Sequence, residues 1–228
     1  MKRTVVFLIV LCLCSFKVIE AQDMKYGLKG SLLATTFNVE DNGLLTLKPG
    51  YAIGGFFHFY FMDAIGVSVE PAYALKGTHD FDVNTVYYSE SPLINGGDFK
   101  SHSLSLSVIE VPVLAQLKFN LGGNTLRIFG GPSFDFILKA NHNMVRLDYT
   151  LGEDFAREIE SNNDVTDRFE YIDYGGKLGM GMDFDISPLI LMIALDYRYG
   201  FNDINNTRSK PAIHTHGFGL TVGIGMGQ

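Results

Sequence analysis

Residues 173–186 read DYGGKLGMGMDFDI. Every second position from Tyr174 gives Tyr174, Gly176, Leu178, Met180, Met182, Phe184 and Ile186. The positions between give Asp173, Gly175, Lys177, Gly179, Gly181, Asp183 and Asp185. A period of two puts these sets on opposite faces of a β-strand. One face is apolar and the other charged or bare, so this strand separates two different media. The same two-faced pattern predicts eight strands, at 25–37, 50–61, 65–77, 103–119, 125–139, 171–186, 189–202 and 214–226. Each is bounded by Gly, Pro, Asn or Asp, the residues that turn a chain.

The predicted links alternate in length. Residues 62–64, 120–124 and 187–188 are short, whereas 38–49, 78–102, 140–170 and 203–213 are long. Short turns at one end and long loops at the other fit an eight-stranded antiparallel up-and-down barrel; Greek-key crossings of a sandwich give no reason for that alternation. Helical spacing fits one short piece, Glu153 to Ser161, inside a polar loop. In the fourth strand the apolar phase changes from Leu104, Leu106, Val108 to Ile109, Val111, Val113, which predicts a β-bulge at 108/109. Pro71, Pro112 and Pro132 each remove a ladder donor and sit awkwardly in central strands.

Alternation alone does not say which face is outside. A soluble ligand-binding barrel turns its apolar face inward, and a membrane barrel turns it to lipid. Aromatics gather near the strand ends of the apolar face: Tyr26, Tyr51, Phe61, Tyr73, Phe119, Tyr174, Phe184, Tyr197 and Tyr199. That is the composition of interfacial girdles. The other face carries Lys29, Glu70, Lys76, Glu110, Lys118, Arg127, Asp135, Asp173, Lys177, Asp183, Asp196 and Arg198 among glycines. Eight strands enclose room for side chains and little else, so these charges are expected to pair inside the lumen. The lipid bilayer is then the partner of the apolar face. A closed barrel satisfies every strand backbone group without water, and closure leaves no edge.

The chain has 228 residues, a formal net charge of −7 and no Trp. An acidic chain with no basic stripe excludes nucleic acid as a partner. Lys2 and Arg3 precede an apolar run from Val5 to Cys14, and Ile19-Glu20-Ala21 ends in a small residue. This predicts a secretory signal over 1–21 and an outer-membrane barrel domain over 22–228; the run is too short to span a bilayer. Cys12 and Cys14 both lie in that segment, and Leu11 and Leu13 precede them, which is not a lipoprotein pattern. The mature chain therefore relies on no disulfide.

Sites of chemistry are sparse. His214 and His216 share one strand face near the long-loop rim, but no serine or third ligand accompanies them in a recognisable motif. An acyl-transfer site needs an activated nucleophile and a metal site needs more ligands, so neither an enzyme nor a metal is expected, and no cofactor. The long loops are net acidic. Glu153, Asp154 and Glu158 in one, and Tyr87, Tyr88 and Leu93 in another, are the candidate partner contacts, because loops on rigid scaffolds carry recognition. No EF-hand spacing supports calcium there.

VSVEPAYALKG (67–77), SVIEVPVLAQLKF (107–119), RIFGGPSFDFIL (127–138), DYGGKLGMGMDF (173–184) and LDYRYGFNDI (195–204) resemble the PorT-type outer-membrane β-barrel family. The resemblance covers nearly the whole mature chain, prolines included. It implies an integral outer-membrane barrel with its N-terminus and short turns in the periplasm. It also implies a non-enzymatic accessory role in type IX protein secretion, the export of gingipain-type proteases to the cell surface, with other components of a secretion machine as partners. The rival reading is a structural or adhesive surface barrel with no part in secretion.

Overall fold

The computed structural model describes residues 23–40, 43–44, 46–80, 98–148, 157–206 and 211–227. The expected signal segment and its boundary, and loop residues Tyr87, Tyr88, Leu93, Glu153 and Asp154, lie outside the described residues. The strands are β1 (Asp23–Val39), β2 (Gly43–Leu44), β3 (Thr46–Tyr60), β4 (Ile65–Val69), β5 (Ala72–His79), β6 (Asp98–Leu121), β7 (Asn124–Asp148), β8 (Arg157–Asp164), β9 (Ile172–Ile186), β10 (Leu189–Gly200) and β11 (Ile213–Gly227). β4 and β5 form one stave. Going round, β1 pairs β3, β3 pairs β4 and β5, and these pair β6. Then β6 pairs β7, β7 pairs β9, β9 pairs β10, β10 pairs β11, and β11 returns to β1. The result is the expected closed antiparallel ring of eight staves. No helix among the described residues is long and apolar enough to cross a membrane.

The outside is apolar. Leu178 and Met180 are 63% and 58% exposed, whereas Lys177 and Asp183 on the alternate phase of β9 are 3% and 1% exposed. The girdle residues Tyr51, Phe61, Tyr73, Phe119, Tyr174, Tyr197 and Tyr199 all point outward. Such an exterior would be an association hazard in water and is the expected surface in lipid. The tight β6–β7 turn holds Gly122 at φ +59° and Gly123 at φ +102°, the positive-φ pair that a short hairpin requires.

The prolines fall where the ladder is already broken. Val69 faces Val113 and Ala72 faces Glu110, so Glu70 and Pro71 lie in a gap between two paired runs. On the next seam Pro112 faces Ser133, and pairing resumes only at Ala115 with Gly130, leaving Pro132 in a second gap. Three adjacent staves thus carry their donor-less residues in one patch of wall. The chain crosses the first gap with bonds from Glu70 N to Pro112 O and from Gly55 N to Pro71 O.

Three expectations need correction. The phase of β6 does not flip at 108/109: Leu104, Leu106, Val108, Glu110, Leu114 and Gln116 are all buried on one inward phase. The hydrophobicity switches because the lumen changes from apolar above to charged below. A register irregularity does sit at Ser107/Val108, but the added residue is Leu138 on β7, and Leu138 is exposed. Second, residues 157–161 are not helical. They belong to β8, which pairs in register with β7 from Arg157 opposite Asp148 to Asp164 opposite Asn141. Backbone pairing to an overlong neighbour outweighs a weak local preference. Third, of the expected loop 140–170, residues 141–148 and 157–164 extend the ladder. β6, β7 and β8 rise together above the ring as a three-stranded flap.

An apolar core closes the long-loop end: Leu33, Phe37, Val39, Leu104, Leu106, Val108, Ile137, Val165, Phe169, Ile204 and Ile213 are buried together. The short-turn half instead packs Phe129 against glycine. A Cβ on Gly179 would lie 2.6 Å from the Phe129 ring and 2.4 Å from the Leu195 carbonyl oxygen. Glycines on the lumen phase therefore make room for aromatics as well as for charges.

Candidate functional site

The lumen is a stack of ion pairs supplied by every wall. At mid-height Glu70, aimed inward from the gap after β4, meets Lys29 at 2.5 Å, His58 Nε2 at 3.4 Å and Lys177 at 3.8 Å. Ser68 Oγ also donates to it. Lys177 continues the chain to Asp196 at 3.5 Å and Glu110 at 3.8 Å. Arg198 clasps Asp196 through Nε at 2.7 Å and Glu110 through Nη1 at 2.5 Å. Lys76 bridges Glu110 at 3.0 Å and Asp135. Above these, Thr215 Oγ1 donates to Asp173 at 2.6 Å. Toward the short turns Arg127 Nε meets Asp183 at 2.8 Å, and Lys25 shares that carboxylate at 3.4 Å. Lys118 pairs with Asp23 at 2.7 Å near the mouth.

All twelve charged residues that the sequence assigns to the lumen phase point inward. Glu70, Glu110, Lys177, Asp196, Arg198, Lys29, Lys76 and Asp135 form one connected web. Arg127 with Asp183, and Lys118 with Asp23, form separate groups lower down. The sequence reading missed Asp23 and Lys25. Lys25 opens the predicted first strand on the phase of Lys29 and was passed over, and extending that strand by two residues adds Asp23. Cations Lys25, Lys29, Lys76, Lys118, Arg127, Lys177 and Arg198 equal in number the anions Asp23, Glu70, Glu110, Asp135, Asp173, Asp183 and Asp196. Buried charges are tolerable only when paired and hydrogen-bonded. This balance holds the walls together.

His214 and His216 sit on the outer phase of β11. His216 Nδ1 lies 3.0 Å from Tyr197 Oη, with the Tyr199 ring edge-on at 4.6 Å. They join the aromatic girdle rather than a nucleophile, and among the described residues no three His, Cys, Asp or Glu side chains are arranged for a metal. Of the candidate partner contacts, Glu158 is described: it lies on β8, opposite Leu147, and is exposed. Two further surfaces were not legible in the sequence. One is the flap of β6, β7 and β8. The other is a vestibule of about 530 Å³ at the short-turn end, lined by Asp23, Lys25, Lys118, Asn120, Thr125 and Asp185.

The family model of the outer membrane protein beta-barrel domain matches residues 20–206. No curated protein matches the chain. Similar solved structures include Ail, the attachment invasion locus protein of Yersinia pestis, at 12% identity and TM-score 0.40, covering 90% of this chain and 98% of that one. Neisserial surface protein A aligns at 10% identity and TM-score 0.44, covering 89% of this chain and 96% of its own. OprG from Pseudomonas aeruginosa aligns at 10% identity and TM-score 0.47, covering 90% and 95%. The family match takes in most of the chain: this is an outer-membrane β-barrel protein, a member of the outer membrane protein beta-barrel domain family.

Proposed function

We propose that the protein is a non-enzymatic accessory of protein export to the cell surface, in the manner implied by its resemblance to PorT-type barrels. The observation that carries this reading is the filled lumen. Ion pairs occupy its middle, and the apolar core of Phe37, Leu104, Leu106 and Ile213 closes its upper end. A barrel without a passage acts through its surfaces. It anchors in lipid and offers the flap on one side and the vestibule on the other to further components of an export machine. Deleting the gene and measuring proteases displayed at the cell surface tests this. The expected result is loss of surface proteolysis with the proteases retained inside the cell. Normal surface proteolysis would remove the export reading.

A structural or adhesive barrel is the second reading, and the flap favours it. β8 adds a paired strand beyond the ring, with Glu158, Ile159 and Glu160 exposed. Loss of attachment to a host or matrix surface on deleting 142–163, with export intact, would select it.

A further inference from the structure

We infer that the short-turn half of the lumen holds a binding site for a small monovalent anion, built by Arg127 and Gln116. Arg127 is fully buried, and only its Nε is engaged, by Asp183 at 2.8 Å. Both Nη1 and Nη2 are buried without an acceptor. Gln116 is 1% exposed. Tyr60 Oη donates to Gln116 Oε1 at 2.6 Å, which fixes the amide and directs its NH2 elsewhere; that Nε2 is also buried without an acceptor. The two side chains share the inward face of the β6–β7 pair, on diagonal positions two residues apart. The Arg127 guanidinium leans over the Phe129 ring at 5.9 Å, and Phe129 is the register partner of Gln116. Buried donors left unmade cost the full desolvation of the group, and a guanidinium costs most. A halide, spherical and acceptor-only, suits donors converging from a planar fork and an amide.

Local charge agrees. At this level Lys25, Lys118 and Arg127 face Asp23 and Asp183, whereas Glu70 above them is held by Lys29 and Lys177, and Glu110, Asp135, Asp173 and Asp196 lie higher. The vestibule lies close by. Lys25 and Lys118 line the vestibule, and Lys118 is the register partner of Arg127. Asp185 shares that lining but is exposed at its rim. The site is independent of the export reading.

The test uses the full chain refolded in zwitterionic detergent micelles. The thermal midpoint is titrated with sodium bromide against sodium gluconate at constant ionic strength. Crystals grown in bromide are examined by anomalous scattering. The expected result is a saturable rise in midpoint and an anomalous peak within hydrogen-bond reach of Arg127 Nη and Gln116 Nε2. Gln116→Leu, which keeps volume and the Arg127–Asp183 pair, should abolish both while the barrel still folds. A peak consistent with water only, no saturable bromide effect, or a bromide effect unchanged in Gln116→Leu would each overturn the proposal.

Discussion

Asp135 on β7 and Asp173 on β9 are register partners inside the barrel, and each keeps one carboxylate oxygen buried without a partner. Lys76 holds the other oxygen of Asp135, and Thr215 holds the other of Asp173. A cavity of about 20 Å³, room for one water, lies against both together with Arg198 and Ser133. Two like carboxylates directly opposite are unfavourable while both are ionised. Asp173→Asn keeps the acceptor for Thr215 and removes that repulsion. It should leave the urea midpoint in lipid vesicles unchanged or raise it. Asp135→Asn weakens a charge-assisted bond to Lys76 and should lower stability by about 1–3 kcal/mol. The reverse ranking would show that Asp173 is needed as an anion.

β9 allows the two media to be tested one residue apart. Met180 is on the lipid face, and Met180→Arg should cost about 2–4 kcal/mol near mid-bilayer, read as a lower urea midpoint in vesicles. Gly179 faces the lumen. Even Gly179→Ala should destabilise by about 1–3 kcal/mol, because its Cβ would collide with the Leu195 carbonyl, which cannot move aside. Detergent micelles should soften the first effect more than the second. A harmless Met180→Arg would mean that the barrel faces are reversed.

The alternation in β9, β10 and β11 made the fold readable, because lipid and lumen impose opposite demands on successive residues. Where both faces meet similar surroundings the signal fades. In 139–143 the outward residues Lys139, Asn141 and Asn143 are polar, and the strand continues through backbone pairing to β6 and β8, which leaves no apolar alternation to read. The upper core misled the reading of β6 for the opposite reason: Leu104, Leu106 and Val108 are as apolar as the lipid-facing residues, so an inward row looked outward. The inward phase of the lumen charges was legible, but not which partners they take. Glu70 meets Lys29, His58 and Lys177 from three other strands, and such convergence is set by barrel shear rather than by spacing along one segment. The unpaired donors of Arg127 and Gln116 have no sequence signature at all.

Acid should loosen the flap before it touches the ring. Above the membrane belt, where the outward residues Ser103, Ser105, Asn141 and Asn143 are polar, His142 is buried, its ring stacked on His102 at 6.0 Å. Burial, with the His102 charge as a smaller cause, pulls its pKa down to about 4. An unfolded histidine titrates near 6.5. The opened state therefore binds a proton first, and stability present above pH 6.5 declines as the pH falls toward 4. Asp164 behaves differently. Its bonds from Thr166 hold the carboxylate below the usual range, so its contribution persists until lower pH. Amide protection factors over 140–144, corrected for the intrinsic pH dependence of exchange, should fall between pH 7 and pH 4.5 while those in β9 and β10 hold. His142→Phe should flatten that dependence.

The filled lumen should also be electrically silent. An ion crossing it would have to displace the Glu110 contacts with Lys76, Lys177 and Arg198, then pass through Phe37, Leu104, Leu106 and Ile213, none more than 1% exposed. Planar-bilayer recordings of the refolded protein should show no unitary current. Leu104→Ala distinguishes the two barriers. It removes part of the upper core, at a cost of about 2–5 kcal/mol, but leaves the charge web below intact, so the variant should be less stable and still silent. Currents in Leu104→Ala alone would place the seal in the apolar core. Clear currents in the wild type would mean that the charges line a pore, and that the export reading must be rebuilt around a passage rather than a surface.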